Sequence, residues 1–113
     1  MKLVTLKKRR DFVLSNKLGQ KTFSKNFILQ KYCNPNISDL GLMFGFTATK
    51  KIGNAVKRNR AKRRMRALIL SLLKEDNILF KEKYSYVLIA KQSILKASFF
   101  EMHKQLKQCL SRL

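Results

Sequence analysis

Two hydrophobic periods divide this chain, one near two residues and one near 3.6. Residues 8–18 have a helical pattern that ends at Gly19, a residue that readily takes the left-handed conformation closing a helix. Over residues 22–32, Phe23, Phe27 and Leu29 are assigned to one strand face and Ile28 and Tyr32 to the other. Turn chemistry follows at Asn34, Pro35, Asn36, Ser38 and Asp39. Leu42, Phe44, Phe46 and Ala48 then alternate with Met43, Gly45, Thr47 and Thr49, which predicts a second strand antiparallel to the first.

Asn54 offers a side-chain oxygen to cap a helix running to about Lys74, before Asp76 and Asn77 interrupt it. Ala61, Met65, Leu68, Ile69 and Leu72 repeat at 4-3-1-3 steps, so the second half of this helix has one face to bury on the sheet. Residues Tyr84–Ala90 (YSYVLIA) are almost continuously apolar and β-prone, as a central strand covered on both faces must be. Ser98 and Glu101 form a capping box for a last helix with the stripe Phe99, Met102, Leu106, Cys109 and Leu113. The order is α-β-β-α-β-α, an α+β chain folded as a small α/β sandwich on a mixed sheet. One proline, four glycines and no linker-like stretch in 113 residues argue for one domain over residues 1–113.

Charge changes the picture from fold to partner. Twenty-six Lys and Arg against six Asp and Glu give a net charge of +20, a self-repulsion that a polyanion would relieve. No run approaches the ~20 apolar residues that span a bilayer, and the beginning MKLVTLKKRRDF lacks the apolar core of an export signal, so a cytoplasmic location without membrane partners is expected. Cys33 and Cys109 have no CxxC or Cys/His spacing, which supports neither zinc nor redox chemistry.

Residues 40–74 contain no acidic residue, and residues 50–66 (KKIGNAVKRNRAKRRMR) hold nine of the cations. At 100° per residue Arg60, Arg63 and Arg64 are assigned away from the apolar stripe, with Lys57 nearby and Lys62 and Arg66 on the other flank. Arg58 projects toward the apolar side, near Lys50 and Lys51 at the strand end. A merely solvated helix face mixes signs, because like charges at i,i+4 destabilise by a few tenths of a kcal/mol each. Repeating that penalty points to phosphate, and the arginine bias to forked contacts. A basic helix beside a sheet carrying aromatics favours RNA over DNA, since it combines phosphate contacts with stacking for unpaired bases.

The run KKIGNAVKRNRAKRRMRAL, residues 50–68, closely resembles the protein component of bacterial ribonuclease P. LKKRRDF at residues 6–12, NFILQKY, GLMFGFTATKK and YVLIAKQ resemble that family's other elements in the same order, so the likeness covers the whole chain. The resemblance implies a left-handed βαβ crossover, a departure from the usual right-handed rule. It also implies that Arg58, Asn59 and Arg60, with Lys51, Lys62, Arg63 and Arg66, face a catalytic RNA and the tRNA near the cleavage site. Lys50, Asn54, Lys57 and Arg64 complete the expected RNA-binding set. By the same likeness a cleft between the first helix and the sheet holds the single-stranded 5′ leader of precursor tRNA. Phe12 matches its aromatic position, while Asn16 and Gln30 stand where relatives often carry further aromatics, so stacking there is expected to be weaker.

The implied activity is endonucleolytic removal of the tRNA leader, with catalytic groups in the RNA and with Mg²⁺ held mainly by that RNA. The lone histidine, His103, cannot form a two-histidine acid/base pair within one chain and is expected to be a packing residue. The carboxylates Asp11, Asp39, Glu75, Asp76, Glu82 and Glu101 are scattered, which argues against a metal bound by the protein alone. A ribosomal or other structural RNA-binding protein would fit the same composition; dependence on the leader separates the two.

Overall fold

The computed structural model describes residues 4–34, 42–75, 80–81 and 83–113. The turn at Pro35, Asn36, Ser38 and Asp39, the interruption at Asp76 and Asn77, and the carboxylate of Glu82 lie outside the described residues. In chain order the elements are α1 (Arg9–Leu18), β1 (Gln20–Phe23), β2 (Phe27–Cys33), β3 (Met43–Thr47), a 3-10 turn (Lys50–Ile52), α2 (Ala55–Glu75), β4 (Tyr84–Ala90), a second 3-10 turn (Gln92–Leu95) and α3 (Phe99–Arg112).

The sheet has the order β1-β2-β4-β3, with β4 antiparallel to β2 and parallel to β3. The near-continuous apolar run of β4 therefore lies in the interior of the sheet. The crossover implied by the family resemblance is the β3–α2–β4 unit, whose two strands lie side by side. β2 and β3 are antiparallel in direction but separated by β4, so they share no hydrogen bonds. Residues 4–6 line the outer edge of β3, with the Leu6 N–H donating to Phe44 O at 2.7 Å and the Phe44 N–H to Val4 O at 2.8 Å. No described helix is long and apolar enough to cross a membrane.

Two expectations for residues 19–32 are corrected. The single strand over residues 22–32 is a hairpin, because Ser24 to Asn26 form its turn and pair Phe23 with Ile28. Phe23 consequently shares a face with Ile28 and is 62% exposed, while Phe27 and Leu29 point into the core. Gly19 does not take the left-handed conformation: its φ of −74° and ψ of 154° are extended. Glycine is required for space instead, since a Cβ would stand 2.5 Å from Ser15 O.

The core lies between one sheet face and α2 with α3. Phe27, Leu29, Phe44, Phe46, Tyr86 and Leu88 meet Met65, Leu68, Ile69, Leu72, Met102 and Leu106 there. Within the last helix, Phe99 was assigned to the apolar stripe but is 40% exposed, and Leu110 is buried in its stead. Ser98 caps that helix through the Glu101 N–H at 3.0 Å. The opposite sheet face carries α1.

Candidate nucleic-acid interface

The basic helix is aimed by the backbone that precedes it. Gly53 has φ 139°, a conformation that side-chain-bearing residues rarely adopt, and it turns the chain from the Lys50–Ile52 turn toward α2. The Asn54 side-chain oxygen then accepts the Lys57 N–H at 3.0 Å, which supplies one of the missing partners of the first helical turn. Lys50 and Lys51 are thereby set just before the first turn of α2. Asn54 was expected to bind RNA; its oxygen is occupied as a cap.

Lys50, Lys51, Lys57, Asn59, Arg60, Arg63 and Arg66 are exposed, while Arg58 and Lys62 are half-buried. Among the described residues the ion pairs join Glu75 to His103 and to Lys107. Glu75 ends α2, nine residues beyond Arg66 or about 13 Å along the axis, so neither pair neutralises the cationic half. One flank of α2 carries a shallow groove of about 420 Å³ lined by Val56, Asn59, Lys62, Arg63 and Arg66. The other flank faces a cleft of about 920 Å³, where Lys57, Arg60 and Arg64 stand opposite Ser93, Lys96 and Ala97.

Arg64 departs from its expected role. Its guanidinium donates to Ile94 O at 2.8 Å and Leu95 O at 2.9 Å, and also to Ala97 O. Wheel geometry places Arg64 beside the apolar stripe rather than opposite it, and the 92–97 segment packs there. Burial, reinforced by the neighbouring Arg60, holds its pKa below the usual arginine range. Arg66, by contrast, lies with its guanidinium 5.5 Å from the centre of the Phe46 ring, a cation–π contact not anticipated from the sequence.

Phe12, Asn16 and Gln30 come together on the other face of the sheet. With Arg9, Val13, Thr47, Val87 and Ile89 they line a groove of about 290 Å³. Phe12 is half-buried and lies on Gly45 of β3, where an added Cβ would come within 2.6 Å of its ring. Gln30 is only 2% exposed. Its oxygen accepts from the Ser15 hydroxyl at 2.8 Å, and its amide donates to Asn16 Oδ1 at 3.2 Å. Asn16 also accepts from Lys21 Nζ at 3.1 Å, so these two polar groups form a fixed wall.

Ile89 links this groove to an apolar hollow of about 740 Å³ at the end of the sheet, also lined by Ile28, Lys50, Lys51 and Lys91. A track therefore runs from α1 to the start of α2. Lys91 and Lys96 were missed by sequence reasoning; the signal was their place directly beyond a central strand, in a turn facing α2. His103 is partly exposed, and its Nε2 contacts the Glu75 carboxylate, so it clamps α3 to α2 rather than filling the core. Cys33 is exposed and Cys109 buried, both as free thiols.

Comparison with known proteins adds independent findings. A family model described as Ribonuclease P matches residues 1–113. The chain is 34% identical over 111 residues to a ribonuclease P protein component of Erythrobacter litoralis, covering 98% of this chain and 86% of that one. It is 35% identical over 102 residues to one of Bacillus pumilus, covering 90% and 81%. The solved structure of Staphylococcus aureus RNase P protein superposes with a TM-score of 0.75 at 26% identity, covering 98% of this chain and 95% of that one.

Proposed function

Because the chain belongs to the ribonuclease P protein family along its full length, we propose that α2 seats the catalytic RNA while the α1 groove holds the single-stranded leader of precursor tRNA. The protein is the RNA-binding subunit of an endoribonuclease holoenzyme and takes part in removing the 5′ leader from tRNA precursors. The observation that carries the residue-level reading is the cationic half of α2, exposed along one helix and unmatched by any carboxylate among the described residues.

Its contribution is electrostatic and positional. Cations at Lys50, Lys51, Lys57, Arg58, Arg60, Lys62, Arg63 and Arg66 reduce phosphate repulsion where leader, tRNA and catalytic RNA converge, which lowers the magnesium requirement. Asn59 and Asn54 Nδ2 add neutral donors. If about six phosphates are engaged, the log–log salt slope of binding is roughly −4 to −5. Among the described residues no group of three His, Cys, Asp or Glu could hold a metal ion. Magnesium is assigned to the RNA. The working location is the cytoplasm, and the partners are the catalytic RNA and precursor tRNA, with no membrane and no DNA.

In the groove, Phe12 offers an aromatic surface at the α1 side and the exposed Lys50 and Lys51 offer phosphate contacts at the far end, beside Lys91, whose ammonium donates to Ser24 O at 2.6 Å. The test compares precursor with mature tRNA bound to the assembled holoenzyme. The wild type binds the precursor more tightly, and Phe12→Ala reduces that preference about fivefold or more. Equal affinity for the two tRNAs in the wild type would favour a structural RNA-binding protein, and an unchanged preference in the variant would remove Phe12 from the site.

A further inference from the structure

We propose that the cleft between α2 and the 92–97 turn, together with the exposed Phe100 in the first turn of the helix that follows, is a second RNA-contact site that takes an unpaired segment of the catalytic RNA. The inference rests on the reading that this chain engages that RNA, and it adds residues outside α2. The cleft of about 920 Å³ is walled by Lys57 and Arg60 on one side and Lys96 on the other, and no carboxylate lines it. Arg64 grips the Ile94, Leu95 and Ala97 carbonyls and so fixes the turn against the helix. The walls are thus held in place before any ligand arrives, which limits the ordering cost of binding.

Phe100 is 81% exposed and its neighbour Phe99 40%, although the rest of α3 buries its apolar residues. Phe100 follows Ala97, a lining residue, by three positions, which places the two Cα atoms within about 11 Å of each other. Lys104 lies one helical turn beyond Phe100 and is also exposed. An aromatic ring set among cations fits an unpaired base with its flanking phosphates, the pairing used by single-strand binding surfaces. A protein partner fits less well, because the cores of protein interfaces are depleted of lysine and two rings make a small apolar patch.

The source of the strand follows from position. One wall of the cleft is formed by the α2 cations Lys57 and Arg60, already assigned to the catalytic RNA, whereas the α1 groove occupies the other face of the sheet. Ile52 and Gln92 stand between this cleft and the hollow that extends the leader track.

The test measures affinity of the full chain for a bacterial ribonuclease P RNA, and then of the assembled holoenzyme for precursor tRNA. Phe100→Ala should weaken binding to the RNA alone at least about fivefold, with Phe100→Tyr restoring it and Phe100→Leu failing to do so. Lys96→Ala should make the log–log salt slope shallower by about one unit. Both side chains are exposed, so the circular dichroism and urea midpoints of the variants should match the parent. Unchanged RNA affinity in Phe100→Ala and Lys96→Ala, with affinity lost in an Arg58, Arg60 and Arg63 triple alanine variant, would overturn the second site alone. Unchanged affinity in the triple variant as well would overturn the reading of α2 on which it rests. A loss seen only when precursor tRNA is added would overturn the assignment to the catalytic RNA.

Discussion

Arg60, Arg63 and Arg64 lie within little more than one turn of the same helix, yet their guanidinium groups face different partners. Arg60 and Arg63 are exposed, while Arg64 is committed to three carbonyl groups of the following turn. Arg64→Ala leaves those acceptors without their charged donor and should lower stability by about 1.5–3 kcal/mol, read as a fall in the urea midpoint. The Arg58, Arg60 and Arg63 triple alanine variant should keep its midpoint within about 1 kcal/mol and make the salt slope of RNA binding shallower by about two to three units. Lys31 supplies a second contrast. It is 5% exposed, with its ammonium 4.5 Å from the centre of the Tyr84 ring. Burial first, and repulsion from Lys81 second, hold its pKa below the usual lysine value of 10.5. A lysine depressed in the folded state binds fewer protons there than in the unfolded chain, so it weakens the fold at neutral pH. That penalty fades as pH rises from the depressed value toward 10.5. Between pH 7 and about pH 10 the urea midpoint should therefore rise less in Lys31→Met than in the parent, and an equal rise would exclude Lys31 as a source.

At the scale of elements, the fit between α1 and β3 depends on one missing side chain. Phe12 reaches Gly45 because nothing projects from that strand position, and an alanine Cβ there would lie 2.6 and 2.9 Å from two ring carbons. Gly45→Ala should cost about 1–3 kcal/mol through overpacking and should lower the preference for precursor over mature tRNA by displacing the ring. A variant that loses stability but keeps the preference would show that Phe12 acts only as packing. The three α-helices were legible in the sequence, two of them through local chemistry: the buried stripe from Ala61 to Leu72 in α2 and the Ser98 cap in α3. The first helix was legible only from its general pattern, since it buries just Asp11 and Ser15 and does not end in a left-handed Gly19, and the two 3-10 turns were not legible. The hairpin turn at 24–26 was not legible. Neither glycine nor proline marks it, and Asn26 holds it through contacts distant in sequence, accepting the Lys91 N–H at its backbone and donating from its side chain to Gln105. The flank position of Arg64 was legible from the helical wheel, but its acceptors were not, since they lie some thirty residues away in sequence.

Over the whole molecule, +20 of charge on 113 residues makes folding and polyanion binding interdependent. The α1 groove and the basic helix sit on opposite faces of one sheet and meet at its end, where Lys50, Lys51 and Lys91 line the hollow between them. The cationic run itself was legible from composition. Its division into two flanks, one facing a shallow groove and one the cleft beside Lys96, required the packing of the 92–97 turn. On this reading the exposed cations of α2 let a catalytic RNA process its substrate when magnesium is scarce. The most direct test is the rate of precursor tRNA cleavage by a bacterial ribonuclease P RNA at low magnesium, alone, with this protein, and with its Arg58, Arg60 and Arg63 triple alanine variant. The parent should accelerate cleavage, and a triple variant that remains folded should lose most of that acceleration. Equal acceleration by both, or none by the parent, would contradict this reading.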